Sequence, residues 1–228
     1  MESVLAWWEL AGVDSHVGDS PRNWLQTLAA TNVFVEIPPA NSGQDTPQTL
    51  DKQLEFLVNP LNFPELGGRR PAPAGAVDSP YMLMGDIPSL DDLEEDRLFS
   101  GSAGRLLDAM LASIGLSRES IWLANIAPGR PPSGMLSAGQ EAGLDRFAKR
   151  HVALTGSRSL LVFGDSACRV LLGGELKDMR GRAHTLLLDG DRSVRAIATY
   201  HPRFLLRHPV LKADAWTDLR LFMETASQ

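Results

Sequence analysis

From Tyr81 onward, short apolar runs alternate with stretches of helical period, and this alternation narrows the fold more than any other feature of the chain. The runs are 81–84, 121–124, 159–163, 185–188 and 194–198. Segments 102–114, 138–154 and 166–172 lie between them, and a last helical segment spans 210–226. Leu106, Leu107, Met110, Leu111 and Ile114 illustrate the helical spacing, which stops at Gly115. Runs this short and this continuously apolar are buried on both faces. Strands joined through helices run parallel, because a parallel pair needs a long crossover. The pattern predicts an α/β fold, a three-layer α/β/α sandwich around a central, mostly parallel four-stranded sheet.

The first part of the chain has a different texture. Residues 2–12 read as a helix with Trp7, Trp8 and Leu10 available for packing. Asp19-Ser20-Pro21 places a cap before a proline and leads into Trp24, Leu25 and Leu28. Residues 38–48 and 64–79 are loops rich in Pro and Gly, with a short helix at 49–57 between them. The expected division is a mainly helical extension, 1–79, packed on a domain at 80–228.

Charge follows the same boundary. Residues 1–96 hold four Lys and Arg against sixteen Asp and Glu, a net of −12, whereas residues 97–228 hold eighteen against twelve, a net of +6. A basic surplus in the second part is compatible with phosphate contact. No apolar run reaches the ~18 residues of a membrane span. The N-terminus lacks a basic region followed by an apolar core, so a cytoplasmic protein is expected. Cys168 is the single cysteine of 228 residues and lies on an apolar helical face, where it reads as packing.

Ligands of open parallel sheets sit beyond the carboxyl ends of the strands. That rule nominates Gly85, Asn125, Gly164 and His201, each of which follows a predicted strand. Gly85 opens Gly85-Asp86-Ile87-Pro88-Ser89, where a ligand can approach the backbone. Phe99 precedes Ser100-Gly101-Ser102-Ala103-Gly104 and offers a flat face for stacking. Asn125 carries an amide that both donates and accepts. His201, before Pro202, can donate to an oxyanion. Taken singly, each also reads as an ordinary turn, core or loop residue.

Their order and spacing resemble the uracil-DNA glycosylase superfamily, closest to its iron–sulfur class, family 4. That class has Gly-Glu-x-Pro-Gly, then Pro-Phe-x-Gly-x-Ala-Gly at the interval from Gly85 to Phe99. An Asn follows at the interval of Asn125 and opens a segment ending Cys-Arg-Pro-Pro, as in Gly129-Arg130-Pro131-Pro132. Thr-Tyr-His-Pro-x-x-Leu-Leu resembles 199–206. The resemblance covers roughly residues 80–225.

It implies that Phe99 stacks on a flipped uracil and that Asn125 reads its edge, with Gly85 and Ser89 on the pocket wall. His201 would stabilise charge on the departing base, and Asp86 and Asp92 would orient water or stabilise the sugar cation. Arg130 would meet phosphate, and Arg203 and Phe204 would lie on the loop that enters the duplex. The expected partner is uracil-containing DNA with a flipped base, met by a monomer with no membrane association. A monofunctional glycosylase is expected, since no lysine accompanies the motifs.

The chain departs from family 4 in one major respect. That class carries a cysteine pair upstream of the first motif, a third cysteine at the position of Gly129 and a fourth near Asp145. Here none of these is cysteine, so no metal, no cluster and no other cofactor is expected. Asp86 is also a shorter acid, and Ser89 replaces a glycine. These departures motivate two rival readings: a non-catalytic DNA-binding or interaction protein, and a glycosylase for another deaminated base such as xanthine or hypoxanthine.

Overall fold

The structure, a computed structural model, describes residues 46–188 and 192–226. Six strands form one sheet: β1 (Ala74–Gly75), β2 (Tyr81–Gly85), β3 (Trp122–Asn125), β4 (Ser159–Phe163), β5 (Ala183–Leu187) and β6 (Ser193–Thr199). The α-helices among the described residues are α1 (Leu50–Val58), α2 (Leu90–Glu95), α3 (Gly101–Ser113), α4 (Ala138–Thr155), α5 (Asp165–Leu172), α6 (Leu176–Met179), α7 (Pro202–Arg207) and α8 (Lys212–Ala226).

The sheet order is β1-β3-β2-β4-β6-β5. The four inner strands pair in parallel, with Met84 opposite both Ala124 and Val162. These are the expected parallel strands. Antiparallel edges are added on either side, β1 against β3 and β5 against β6. A two-residue strand carries no periodic signal, which is why β1 lies inside a segment that reads as loop.

Side chains alternate across the strands and divide the core in two. Met82, Met84, Trp122, Ala124, Leu160, Val162, Ala196 and Ala198 face one side, where α4 and α5 bring Val152, Ala167 and Leu171. Leu83, Leu123, Leu161, Phe163 and Ile197 face the other, where α3, α7 and α8 bring Leu107, Leu111, Leu205, Leu219 and Phe222. Full burial of each large side chain contributes roughly 1.5–3 kcal/mol. The result is the three-layer sandwich.

Cys168 lies in the first of these cores and is fully buried, which pushes its thiol up to about 12. Three short helices, α2, α6 and α7, leave no periodic signal in the sequence. In α2, Ser89 and Asp92 form a reciprocal capping box. In α7, Pro202 occupies the first turn and His201 is the cap. Pro209–Leu211 forms a separate 3₁₀ turn, so α8 begins at Lys212 rather than at 210. The expected helices in 2–12 and after Ser20, and most of the 38–48 loop, lie outside the described residues.

A third, smaller core joins α1 and the following turn to α4. Phe56 stacks on Phe147 at 4.8 Å, and Phe63 meets both rings edge-on at 5.7 and 5.4 Å. Leu57, Leu66, Ile87 and Ala127 complete it. The buried Arg70 ties this layer together by donating to three carbonyls, Leu57 O at 3.0 Å, Pro60 O at 3.1 Å and Phe63 O at 2.6 Å. Removing such a donor leaves buried carbonyls without partners. Arg70→Met is therefore expected to lower unfolding stability by about 3 kcal/mol. Urea denaturation checks this; a midpoint at the wild-type value would mean that water replaces the guanidinium without loss.

Candidate active site at the strand ends

Gly85 and Asn125 end β2 and β3 and face each other in register. A Cβ on Gly85 would lie 2.5 Å from Asn125 Oδ1 and 2.9 Å from Phe99 Cζ, so only glycine admits both side chains. Asn125 is 8% exposed, and its Oδ1 is buried without a hydrogen-bond donor. An unpaired buried oxygen costs roughly 1–3 kcal/mol. Asn125 lines a small cavity of about 10 Å³ with Leu98, Ala127 and Pro128, and an oxygen held there without a donor is a place for a ligand N–H.

Phe99 sits in the left-handed region with φ +53°. Its ring is buried and stacks on His201, with centroids 5.5 Å apart and 20° between planes; Phe163 closes the edge at 6.3 Å. His201 follows β6 and caps α7, its Nδ1 accepting from the Arg203 N–H at 3.2 Å. An accepting Nδ1 leaves the ring proton on Nε2. Burial outweighs the nearby Asp86 charge and brings the His201 pKa down to about 4, so the ring is neutral at pH 7.

Asp86 lies beside His201, with Oδ1 3.8 Å from Nε2. Its carboxylate is occupied: both oxygens accept from Arg203 Nη2 at 2.5 Å, and Oδ1 accepts from the Ile87 N–H at 2.7 Å. Arg203 also donates to Ile87 O at 3.1 Å. The guanidinium expected on a loop entering a duplex is thus turned back onto the pocket acid.

Asp92 and Ser89 meet each other rather than the pocket. Asp92 Oδ2 accepts from the Ser89 N–H at 3.0 Å, and its Oδ1 accepts from the Ser100 N–H at 2.7 Å. Ser89 Oγ accepts from the Asp92 N–H at 3.1 Å. In this arrangement Asp92 holds the backbone that follows Phe99, and the Ser89 hydroxyl serves the cap of α2.

Arg130 donates to Pro88 O at 3.0 Å. Burial and the like charge of Arg203 pull its pKa below the usual arginine value. Phe204, at 41% exposure, stacks between Tyr200 at 5.6 Å and His208 at 4.1 Å. A cleft of about 280 Å³ beside His201 is lined by Asp86, Gly164, Ser166, Lys177, Arg203 and Phe204. The strand-end rule finds Gly164. Lys177 reaches the cleft from α6, and no local sequence signal marks it.

The positions where family 4 holds its cluster do not fit one. A Cβ on Gly129 would run into Leu66 O, so the backbone already fills the space a thiolate would need. Asp145 pairs with Lys149 along α4 at 2.6 Å. Cys168, the only thiol in the sequence, is enclosed in the first core. Among the described residues no group of three or more His, Cys, Asp or Glu side chains is placed to hold a metal ion, and no helix is long and apolar enough to cross a membrane.

A family model described as the uracil DNA glycosylase superfamily matches residues 72–220. Three similar curated proteins are each named type-4 uracil-DNA glycosylase. That of Pyrobaculum aerophilum is 26% identical over 155 residues, 65% of this chain and 79% of its own. That of Archaeoglobus fulgidus is 26% identical over 153 residues, 64% and 76% of the two chains. That of Thermotoga maritima is 25% identical over 138 residues, 59% and 70%.

Two histidines are buried among the described residues, and they make stability depend on pH. Burial depresses both His201 and His151 from 6.5 to about 4. His151 Nε2 accepts from the Trp122 indole at 3.0 Å. A depressed folded-state pKa means the unfolded chain binds the proton first. Stability from these rings is complete above pH 6.5 and falls as the pH approaches 4. Unfolding midpoints across this range should decline. His151→Gln should flatten part of that decline, and an unchanged slope would contradict the assignment.

Proposed function

The chain belongs to the uracil DNA glycosylase superfamily, and on that premise we propose that it hydrolyses the N-glycosidic bond of uracil in DNA as a monofunctional glycosylase without an iron–sulfur cluster. The observation that carries this reading is the buried, donorless Asn125 Oδ1 beside the Phe99 ring and the neutral His201.

Uracil presents a donor, N3–H, between two carbonyl acceptors. Asn125 matches this edge by accepting from N3–H through Oδ1 and donating from Nδ2 to O4. Cytosine has no hydrogen on N3 and would leave Oδ1 without its donor. Phe99 offers a flat apolar face, and stacking offsets part of the few kcal/mol that extrusion from the duplex costs.

In the reaction the C1′–N1 bond breaks and its electron pair goes to the base, spreading onto O2. A neutral His201 donates Nε2–H toward that oxygen, stabilising the anion without a prior protonation step. Water then forms the new bond to C1′, and the proton it loses passes through solvent to the departing uracil anion, leaving neutral uracil and an abasic site. Asp86, paired with Arg203, acts as a fixed negative charge near the sugar cation rather than as a free base. Arg130 and Phe204 are assigned to the DNA side of the cleft. Arg203 links that side to Asp86.

Monofunctionality rests on the lack of an activated amine. Lys177 lines the cleft but is solvent-exposed, without the apolar pocket that activates a lysine as a nucleophile. The Ser89 hydroxyl, engaged in its helix cap, does not favour a different base. The absence of a cluster rests on the single cysteine and on the filled space at Gly129.

Base release from a labelled oligonucleotide carrying one uracil, single-stranded or opposite guanine, tests the reading. Alkali should cleave the strand after treatment with the parent protein, and Asn125→Ala and His201→Ala should each lower the rate by about 100-fold or more. Borohydride should trap no protein–DNA adduct. Folded protein that releases no uracil at high concentration but binds DNA would instead support the non-catalytic alternative.

A further inference from the structure

We infer that Arg118 is a positioning residue that holds Phe99 in its base-stacking orientation, an inference that rests on the proposed function for its catalytic consequence. Phe99 is one of two non-glycine residues among those described with a positive φ. That conformation is unfavourable for an L-residue, so the surroundings must impose it. The backbone around Phe99 is gripped from both ends. Asp92 Oδ1 accepts from the Ser100 N–H at 2.7 Å on one side.

Arg118 supplies the other side. It leaves the 3₁₀ turn Arg118–Ser120 that follows α3. Its Nη1 donates to Leu98 O at 3.0 Å and its Nη2 to Phe99 O at 2.5 Å and Gly104 O at 3.4 Å. Nε donates to Asp108 Oδ1 at 2.5 Å, which fixes the plane of the guanidinium. A Cβ on Gly104 would collide with Phe99 O and approach Arg118 Nη2 at 3.0 Å, so the last glycine of the motif makes room for this grip. Only a planar fork reaches these carbonyls together; an ammonium cannot. Arg118 touches neither His201 nor Asn125, so its effect on the base passes through the Phe99 loop.

The test is a double-mutant cycle of the whole chain with Arg118→Met, Phe99→Ala and both together. Thermal melts confirm folding. Single-turnover uracil release is measured alongside binding of a duplex carrying an abasic-site analogue. Arg118→Met should slow release by about 100-fold, the loss that a displacement near 1 Å produces, and leave duplex binding unchanged. In the Phe99→Ala background it should slow release no further.

A readout that needs no activity accompanies the cycle. The Phe99 ring current displaces the His201 ring C–H signals in histidine-labelled protein, and Arg118→Met should move them toward their Phe99→Ala positions. Should Arg118→Met fail to fold, Arg118→Lys takes its place in every arm. Equal losses with and without Phe99, a wild-type release rate or unmoved His201 signals would each overturn the inference. If the parent protein releases no uracil, the proposed function falls, and the His201 signals still decide whether Arg118 positions Phe99.

Discussion

The parallel pairing of β2 and β3 brings Gly85 opposite Asn125, and the rest of the site is arranged around that contact. Because Gly85 has no side chain, the Asn125 amide and the Phe99 ring both reach the strand end, and the amide oxygen is sealed from water without finding a protein donor. A one-residue slip of β3 would turn Asn125 to the opposite face of the sheet, and a slip of β2 would turn Gly85 away from it. The two hydrophobic faces, with Met82 and Met84 on one side and Leu83 on the other, make that slip prohibitive. Core packing thus sets the geometry of a polar site.

Charge at the site is arranged by burial more than by pairing. His201 is close to a carboxylate, which by itself would favour its protonation, yet desolvation dominates and the ring stays neutral. Asp86 remains nearby with its charge shared by Arg203. Such a pair holds a fixed dipole in the pocket wall. It also ties the start of α7 to the loop after β2, since Arg203 donates to both Asp86 and Ile87 O.

The third core bears on the family departure. Here Phe56, Phe63 and Phe147 pack together, and Arg70 gathers three carbonyls of the chain between α1 and the following turn. An aromatic core with one buried arginine cross-links this layer, because the several N–H groups of one guanidinium can donate to separate backbone carbonyls at once.

The alternation of apolar runs with helical stretches was enough to establish the parallel sheet and its covering helices, since burial on both faces leaves a periodic record in sequence. Strand-end position likewise marks Gly85, Asn125, Gly164 and His201 from chain order alone. What periodicity could not reach were features built by single contacts: the two-residue β1, the capped helices α2 and α7, and the reach of Lys177 into the cleft.

Side-chain direction was equally out of reach. Asp92 and Ser89 sit in a motif beside the pocket, but their hydrogen bonds run to each other and to Ser100; Arg203 turns inward to Asp86. The sequence by itself determined which residues stand at the strand ends, because hydrophobic period and chain order are local properties. Only the tertiary structure decided which of them face the cleft, because a hydrogen-bond partner far along the chain, as with Arg203 and Asp86 or Arg118 and Phe99, is chosen by proximity in space.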